Sequence, residues 1–246
     1  MQSPFDTLIN RHNSDSLKWQ KYAGKRNSRG QDILPLWVAD MDFAAPEAVL
    51  NALYARLNHG VLGYGFTTPD FLNALQSALQ RDYGWSIEPD WIIPLPGLVS
   101  GLNIAAQSIG EQGDAIVTST PVYPPLFSAP KNAGRDCIQI PLNESNHWCW
   151  DIAALQRAHT PKTKGVFLCH PHNPIGRVWR SDELNAIAHY AEKNDLIVVS
   201  DEIHCDLVLD ENRKHIPFAS ISKEAAERSI TLMAPSKTYN VAGLNC

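Results

Sequence analysis

Leu196-Ile197-Val198-Val199-Ser200-Asp201-Glu202 sets the reading of this chain: an apolar run short enough to be a strand, closed by two consecutive carboxylates. In an open α/β sheet, ligands settle beyond the carboxyl ends of the strands, so polar residues placed directly after apolar runs are the ones able to converge. Two other stretches share this arrangement. Val166-Phe167-Leu168-Cys169 leads into His170-Pro171-His172-Asn173-Pro174, and Ile230-Thr231-Leu232-Met233 leads within a few residues to Ser236-Lys237. An amide, a carboxylate and an amine are thereby expected to share one crevice.

Outward from these runs, apolar and helical stretches alternate from residue 91 onward. Trp91–Leu95, Ala115–Ser119, Cys137–Leu142, Gly165–Cys169, Leu196–Ser200 and Ile230–Met233 read as the short apolar runs. Leu98–Ile109, Val122–Ala133, Ile152–Ala158 and Ser181–Asn194 read as helices between them. Ser181 followed by Asp182 and Glu183 is a good helix start, a cap with acids near the positive end of the dipole. Strand then helix, repeated, predicts an α/β fold: a mostly parallel central sheet with helices on both faces. Residues 1–45 read as an irregular arm and active-site loop, with Pro46-Glu47 opening a helix. Residues 46–246 read as one large domain.

The composition of the 246 residues is ordinary globular, 44% hydrophobic and 19% charged. Net charge is −5 and the basic residues are scattered, which argues against nucleic acid as a partner. No stretch approaches the ~18 apolar residues of a membrane span, and the first residues carry neither a basic nor an apolar signal region. Cys137, Cys149, Cys169, Cys205 and Cys246 form no CxxC pair, which predicts no disulfide framework, no zinc site and a reducing cytoplasm.

Lys237 carries the chemistry. A buried amine is costly unless partnered, and an aldehyde cofactor removes that cost by forming an imine, so Lys237 reads as an anchor for pyridoxal phosphate. That cofactor also needs an anion beside its ring nitrogen, a donor near its phenolic oxygen and a phosphate cradle. Asp201 supplies the first and Asn173 the second. Gly97-Leu98-Val99, between an apolar run and a helix, offers backbone N–H groups to the phosphate, with Ser236 adding a hydroxyl. Tyr123, between Pro121-Val122 and Pro124, would lay its ring on the pyridine face. Singly, each signal has a plainer reading: a solvated lysine, a loop carboxylate pair, a simple glycine turn, ordinary Asn-Pro turn chemistry, a packing tyrosine. Their shared order and placement favour the site. Of the nine histidines only His204, two positions past Glu202, joins the candidates.

Taken together, these residues resemble fold-type I pyridoxal phosphate enzymes of the class I/II aminotransferase group, and within it the MalY/PatB-type cystathionine beta-lyases. The resemblance rests on Trp37-Val38-Ala39-Asp40-Met41-Asp42-Phe43, Gly63-Tyr64-Gly65, Pro121-Val122-Tyr123, Pro171-His172-Asn173-Pro174, Ser200-Asp201-Glu202-Ile203-His204 and Ala234-Pro235-Ser236-Lys237, in order along the chain. It implies a homodimer in which Tyr64 reaches the phosphate of the other subunit's cofactor, with Lys237, Asp201 and Tyr123 catalytic. His204 stands where aminotransferases usually carry tyrosine, and Asn245 where they often carry a phosphate-binding arginine; both departures fit the lyase branch. His170 and Ile175 depart from the lyase pattern itself. The implied activity is beta-elimination on cystathionine or another small sulfur amino acid conjugate, giving thiol, pyruvate and ammonia. Amino transfer, or a regulatory role with a bound cofactor as in MalY, are the alternatives. The resemblance also implies a C-terminal small domain after the lysine, with an arginine for the substrate carboxylate, that this chain lacks; such a chain is expected to be unstable or inactive alone.

Overall fold

The apolar runs fold as five strands: β1 (Ala115–Thr120), β2 (Asp136–Pro141), β3 (Thr163–Cys169), β4 (Ile197–Asp201) and β5 (Ser229–Leu232). The structure is a computed structural model that describes residues 3–245; Cys246 lies outside the described residues. The strands form one sheet in the order β2-β1-β3-β4-β5, and all four pairings are parallel. Parallel neighbours require crossovers. These contain α5 (Pro125–Asn132) between β1 and β2, α6 (Ile152–Ala158) before β3, α7 (Ser181–Lys193) before β4, and α8 (Lys223–Glu227) before β5. The sheet is preceded by α4 (Leu98–Ser108). The chain runs outward from β1 to β2, then returns to β3 and proceeds to the other edge, so the strand order reverses between β1 and β3.

Both faces of the sheet are covered, which is why its strands are apolar runs rather than alternating ones. Val166 and Leu168 of β3 pack into one core with Leu155, Leu184, Ile187 and Phe218. Phe167 and Cys169 point the other way, into a core with Leu102, Ile109, Leu126 and Val199. Gly165, at the start of β3, has no room for a side chain: a Cβ there would lie 3.1 Å from Ile197 O and 3.1 Å from Ile109 Cγ2. Gly165→Val is therefore expected to destabilise the fold by about 1–3 kcal/mol, measured as a lower urea midpoint with an unchanged slope.

The expected strand-like element at Trp91–Leu95 does not form. Pro89–Trp91 is a single 3-10 turn followed by irregular backbone. Pro94 and Pro96 lack the N–H groups that a ladder requires, and Ile93 is 76% exposed.

The chain divides into two compact units, Met1–Gly65 with Pro235–Asn245, and Phe66–Ala234. The helix opened by Pro46 and the lysine segment thus group with the arm, whereas the expected boundary lay at residue 45. The first unit contains α1 (Leu17–Gln20) and α2 (Glu47–His59); the second begins with α3 (Pro69–Tyr83) and carries the sheet. Among the described residues no helix is long and apolar enough to cross a membrane.

Candidate active site

In the second unit, the loops after β1 and β3 meet at the point where the strand order reverses. The backbone N–H of Tyr123 donates to the carbonyl of Asn173 at 2.9 Å. Nε2 of the buried His172 donates to the carbonyl of Pro121 at 2.8 Å, tying the same two loops a second time. The peptide bonds Thr120–Pro121, His170–Pro171 and Asn173–Pro174 are all cis. Asn173 N–H is further held on Cys169 Sγ at 3.3 Å. Cys169 ends β3 opposite Asp201, which ends β4.

Asp201 is 2% exposed, with Oδ1 accepting from Ile203 N–H at 3.3 Å and its carbonyl accepting from His170 N–H at 2.8 Å. Burial, and then the Asp201 charge, push the Tyr123 hydroxyl above its ordinary pKa, so phenol and carboxylate share one environment. The sequence-predicted Tyr123, Asn173 and Asp201 are therefore brought together beyond the carboxyl ends of β1, β3 and β4. His204 lines a cavity of about 540 Å³ with Asn173, Arg177, Leu207, Asp210 and Arg213.

Gly97 caps α4 with φ of 88°, a left-handed value that suits glycine and leaves the N–H groups of Leu98 and Val99 without intrahelical acceptors. One turn on, Gly101 packs so closely that a Cβ would lie 3.2 Å from Leu232 Cδ2. Leu232 ends β5, so α4 begins on the same side of the sheet as Asp201, with the positive end of its dipole there.

Directly after Asp201 the chain turns a second carboxylate into the opposite side of the interior. Glu202 accepts from Ser200 Oγ at 2.7 Å and Phe218 N–H at 2.9 Å, and its Oε2 lies 2.6 Å from His215 Nε2. The Glu202 and His215 side chains are wholly buried. The His170 ring lies on that of His215, centroids 4.3 Å apart, and its Nε2 donates to Ile216 O at 2.9 Å. The departure at His170 is thus absorbed by the interior. Tyr83 meets His215 edge-on and bonds Asp206 through its hydroxyl.

Burial holds His170 down to about 4, with His215 acting in the same direction and Glu202 against it. Below the ordinary histidine value of about 6.5, the unfolded chain takes up a proton that the folded one refuses. Stability is therefore expected to fall as pH drops from about 6.5 towards 4, by up to about 3 kcal/mol from this residue. Urea midpoints across that window should decline more steeply for the wild type than for His170→Asn.

Ser236, Lys237 and Tyr64 belong to the first unit. Lys237 is half-buried in a turn closed by Tyr239 N–H on Pro235 O and Val241 N–H on Ser236 O, each 3.0 Å. No ion pair or hydrogen bond engages its amine among the described residues. Ser236 is buried and Tyr64 is fully exposed.

The family model for Aminotransferase class I and II matches residues 31–246. The chain belongs to that family. Within the family it is 41% identical over 244 residues to cystathionine beta-lyase PatB of Bacillus subtilis (strain 168), covering 98% of this chain and 62% of that protein. It is similar to the crystal structure of OvoB, with TM-score 0.91 and 47% identity over 98% of this chain and 62% of that one. The crystal structure of the PLP-bound C-S lyase from Staphylococcus hominis matches with TM-score 0.87 and 32% identity, over 99% of this chain and 61% of that one. The chain thus spans about 62% of the length of PatB. The class I/II aminotransferase family and fold expected from the motifs hold, and PatB and MalY are among the proteins to which the chain is similar.

Sequence reasoning passed over one residue of the second unit's loop cluster and one residue of the first unit. His172 sits inside the quoted Pro171-His172-Asn173-Pro174 motif, and its bond to Pro121 gives its ring a task that the sequence did not announce. Asn240 follows the lysine by three positions, and its partners are about 200 residues away, with no local signal.

Proposed function

We propose that the protein is a pyridoxal phosphate-dependent carbon-sulfur beta-lyase that cleaves cystathionine or another cysteine S-conjugate to a thiol, pyruvate and ammonia. The observation that carries this reading is the buried Asp201 carboxylate beside Tyr123 and Asn173, where the strand order reverses. Carboxylate, aromatic ring, amide and a glycine-capped helix start are the donor set that this cofactor requires. When bound, the cofactor supplies an aldehyde to take up amines and a conjugated ring that accepts electrons from the substrate.

The chain's own residues would do the rest. Asp201, held in a low-dielectric setting, would keep the ring nitrogen protonated, because a carboxylate there favours the positive form. Tyr123 would cover the ring face and Asn173 would donate to the phenolic oxygen; His204 shares the Asn173 cavity. Leu98 and Val99 N–H groups, next to Gly97, would receive the phosphate, and the Ser236 hydroxyl is the further donor that the sequence proposes. Lys237 would hold the cofactor through its amine and would serve as the base for the substrate alpha proton.

A homodimer is supported by α2, which has no buried residue, and by Val61, Leu62, Tyr64 and Phe66, which stand 63% to 109% exposed. Tyr64 from a second copy would complete the phosphate site. Cys137, Cys149, Cys169 and Cys205 are free thiols, in keeping with a reducing cytoplasm.

The family also supports amino transfer as a second reading, since the same residues serve both reactions. The deciding experiment supplies a version extended over the full length of its relatives, together with pyridoxal phosphate, with L-cystathionine, with and without an oxo acid. Pyruvate formed without the oxo acid is the expected result. Absence of pyruvate alongside efficient amino transfer to the oxo acid would overturn the lyase reading.

A further inference from the structure

The two chain segments of the first unit are joined by one side chain. Asn240 Nδ2 donates to Met41 O at 3.1 Å and Phe43 O at 2.9 Å, while its Oδ1 accepts from Met41 N–H at 2.8 Å. An amide has two donor hydrogens and one carbonyl, and all three functions serve the Met41–Phe43 backbone. The residue holds φ of 55°, the left-handed conformation that asparagine tolerates better than most side chains.

The segment that Asn240 grips is itself pinned. Asp42 accepts from Arg11 Nη1, Trp19 Nε1 and Lys18 Nζ, each at 2.8 Å. Arg11 also bonds Asp40 Oδ2 at 2.6 Å, and Lys18 bonds Asp40 O at 2.9 Å. Two cations thus face two carboxylates, with the Lys18 side chain only 8% exposed. Partial burial pushes the Asp42 carboxyl up, but bonds from Lys18, Trp19 and Arg11 outweigh it and hold it at about 2, so Asp42 stays charged at neutral pH.

We infer that Asn240 is a positioning residue for Lys237, fixing the lysine turn to the charge-pinned arm segment Asp40–Phe43. The inference rests on the proposed cofactor role of Lys237 and adds what orients it. Lys237 sits on a flexible four-carbon stem in a turn closed by two backbone bonds, so the placement of its Cα decides where the amine can reach. Asn240, in the same turn, anchors that Cα to a rigid base. Small misplacements of a reacting group are costly in rate, which gives the amide leverage without touching cofactor or substrate.

The test uses Asn240→Gly, which keeps the left-handed backbone and removes the amide, and Asn240→Asp, which keeps the shape and the acceptor but loses both donations. Each protein is mixed with pyridoxal phosphate and reduced with borohydride, and the modified Lys237 peptide is quantified by mass over time. The pH midpoint of the visible band of the cofactor-loaded protein is recorded beside it. Both variants are expected to capture the cofactor at Lys237 about tenfold more slowly, with a displaced midpoint, while melting cooperatively. Should Asn240→Gly fail to fold, Asn240→Asp carries the comparison. Wild-type capture with unchanged rate and midpoint in the folded variants would overturn this inference alone. No capture by the wild type would overturn the cofactor reading and the inference with it.

Discussion

Lys237→Ala is expected to abolish borohydride-fixed pyridoxal phosphate on the chain and, in a version extended over the full length of its relatives, to lower pyruvate release from L-cystathionine by about a thousandfold or more. Two losses combine. The amine that would hold the cofactor disappears, and so does the base that would take the alpha proton, a role worth roughly 10²–10⁴ in rate by itself. Folding should be almost untouched, because the Lys237 amine has no hydrogen bond or ion pair among the described residues and the side chain is only half-buried. A melting curve within about 0.5 kcal/mol of the wild type, together with the missing mass adduct, is the expected pairing. An adduct that persists on another lysine, or turnover near the wild-type level, would remove Lys237 from the mechanism.

Glu202→Leu is expected to have the opposite profile, with a large loss of stability that precedes any effect on chemistry. The substitution leaves Ser200 Oγ, Phe218 N–H and His215 Nε2 without their shared acceptor in a region with no water access. Each orphaned buried donor costs about 1–3 kcal/mol, and stripping one member from a buried network typically costs about 3–5 kcal/mol in all. Urea titration at neutral pH measures it directly. Glu202→Gln, which preserves the shape and one acceptor, should lose less; equal stability of Glu202→Leu and the wild type would show that the network contributes nothing net.

The contrast between Asp201 and Glu202 explains much of what could be read in advance. Strands buried on both faces must be apolar runs, so β1, β3 and β4 were legible, and the polar residues just past their ends named Tyr123, Asn173 and Asp201. Side chains alternate across a strand, so the residue after Asp201 faces away from it. Glu202 therefore joins Ser200 on the other side, where its partners His215 and Phe218 lie 13 and 16 residues further along. Nothing local in the sequence announces such a pairing, and His204 stood out there in place of His215. Trp91–Leu95 looked like a strand because its isoleucines and leucine carry the apolar signal, while Pro94 and Pro96 deny it the backbone donors. The Asn240 amide was illegible for a third reason: its partners are backbone groups, identical at every residue.

That amide also orders events in time. Met41 leaves the ribosome 199 residues before Asn240, an interval of about 10–40 s at ordinary elongation rates. Throughout it, the carbonyls of Met41 and Phe43 and the Met41 N–H must be satisfied by water, since the group that finally receives them has not been made. Closure of the first unit is thus a late, long-range step of the kind that slows folding, and the nascent arm remains open to proteases and chaperones until the lysine turn is synthesised.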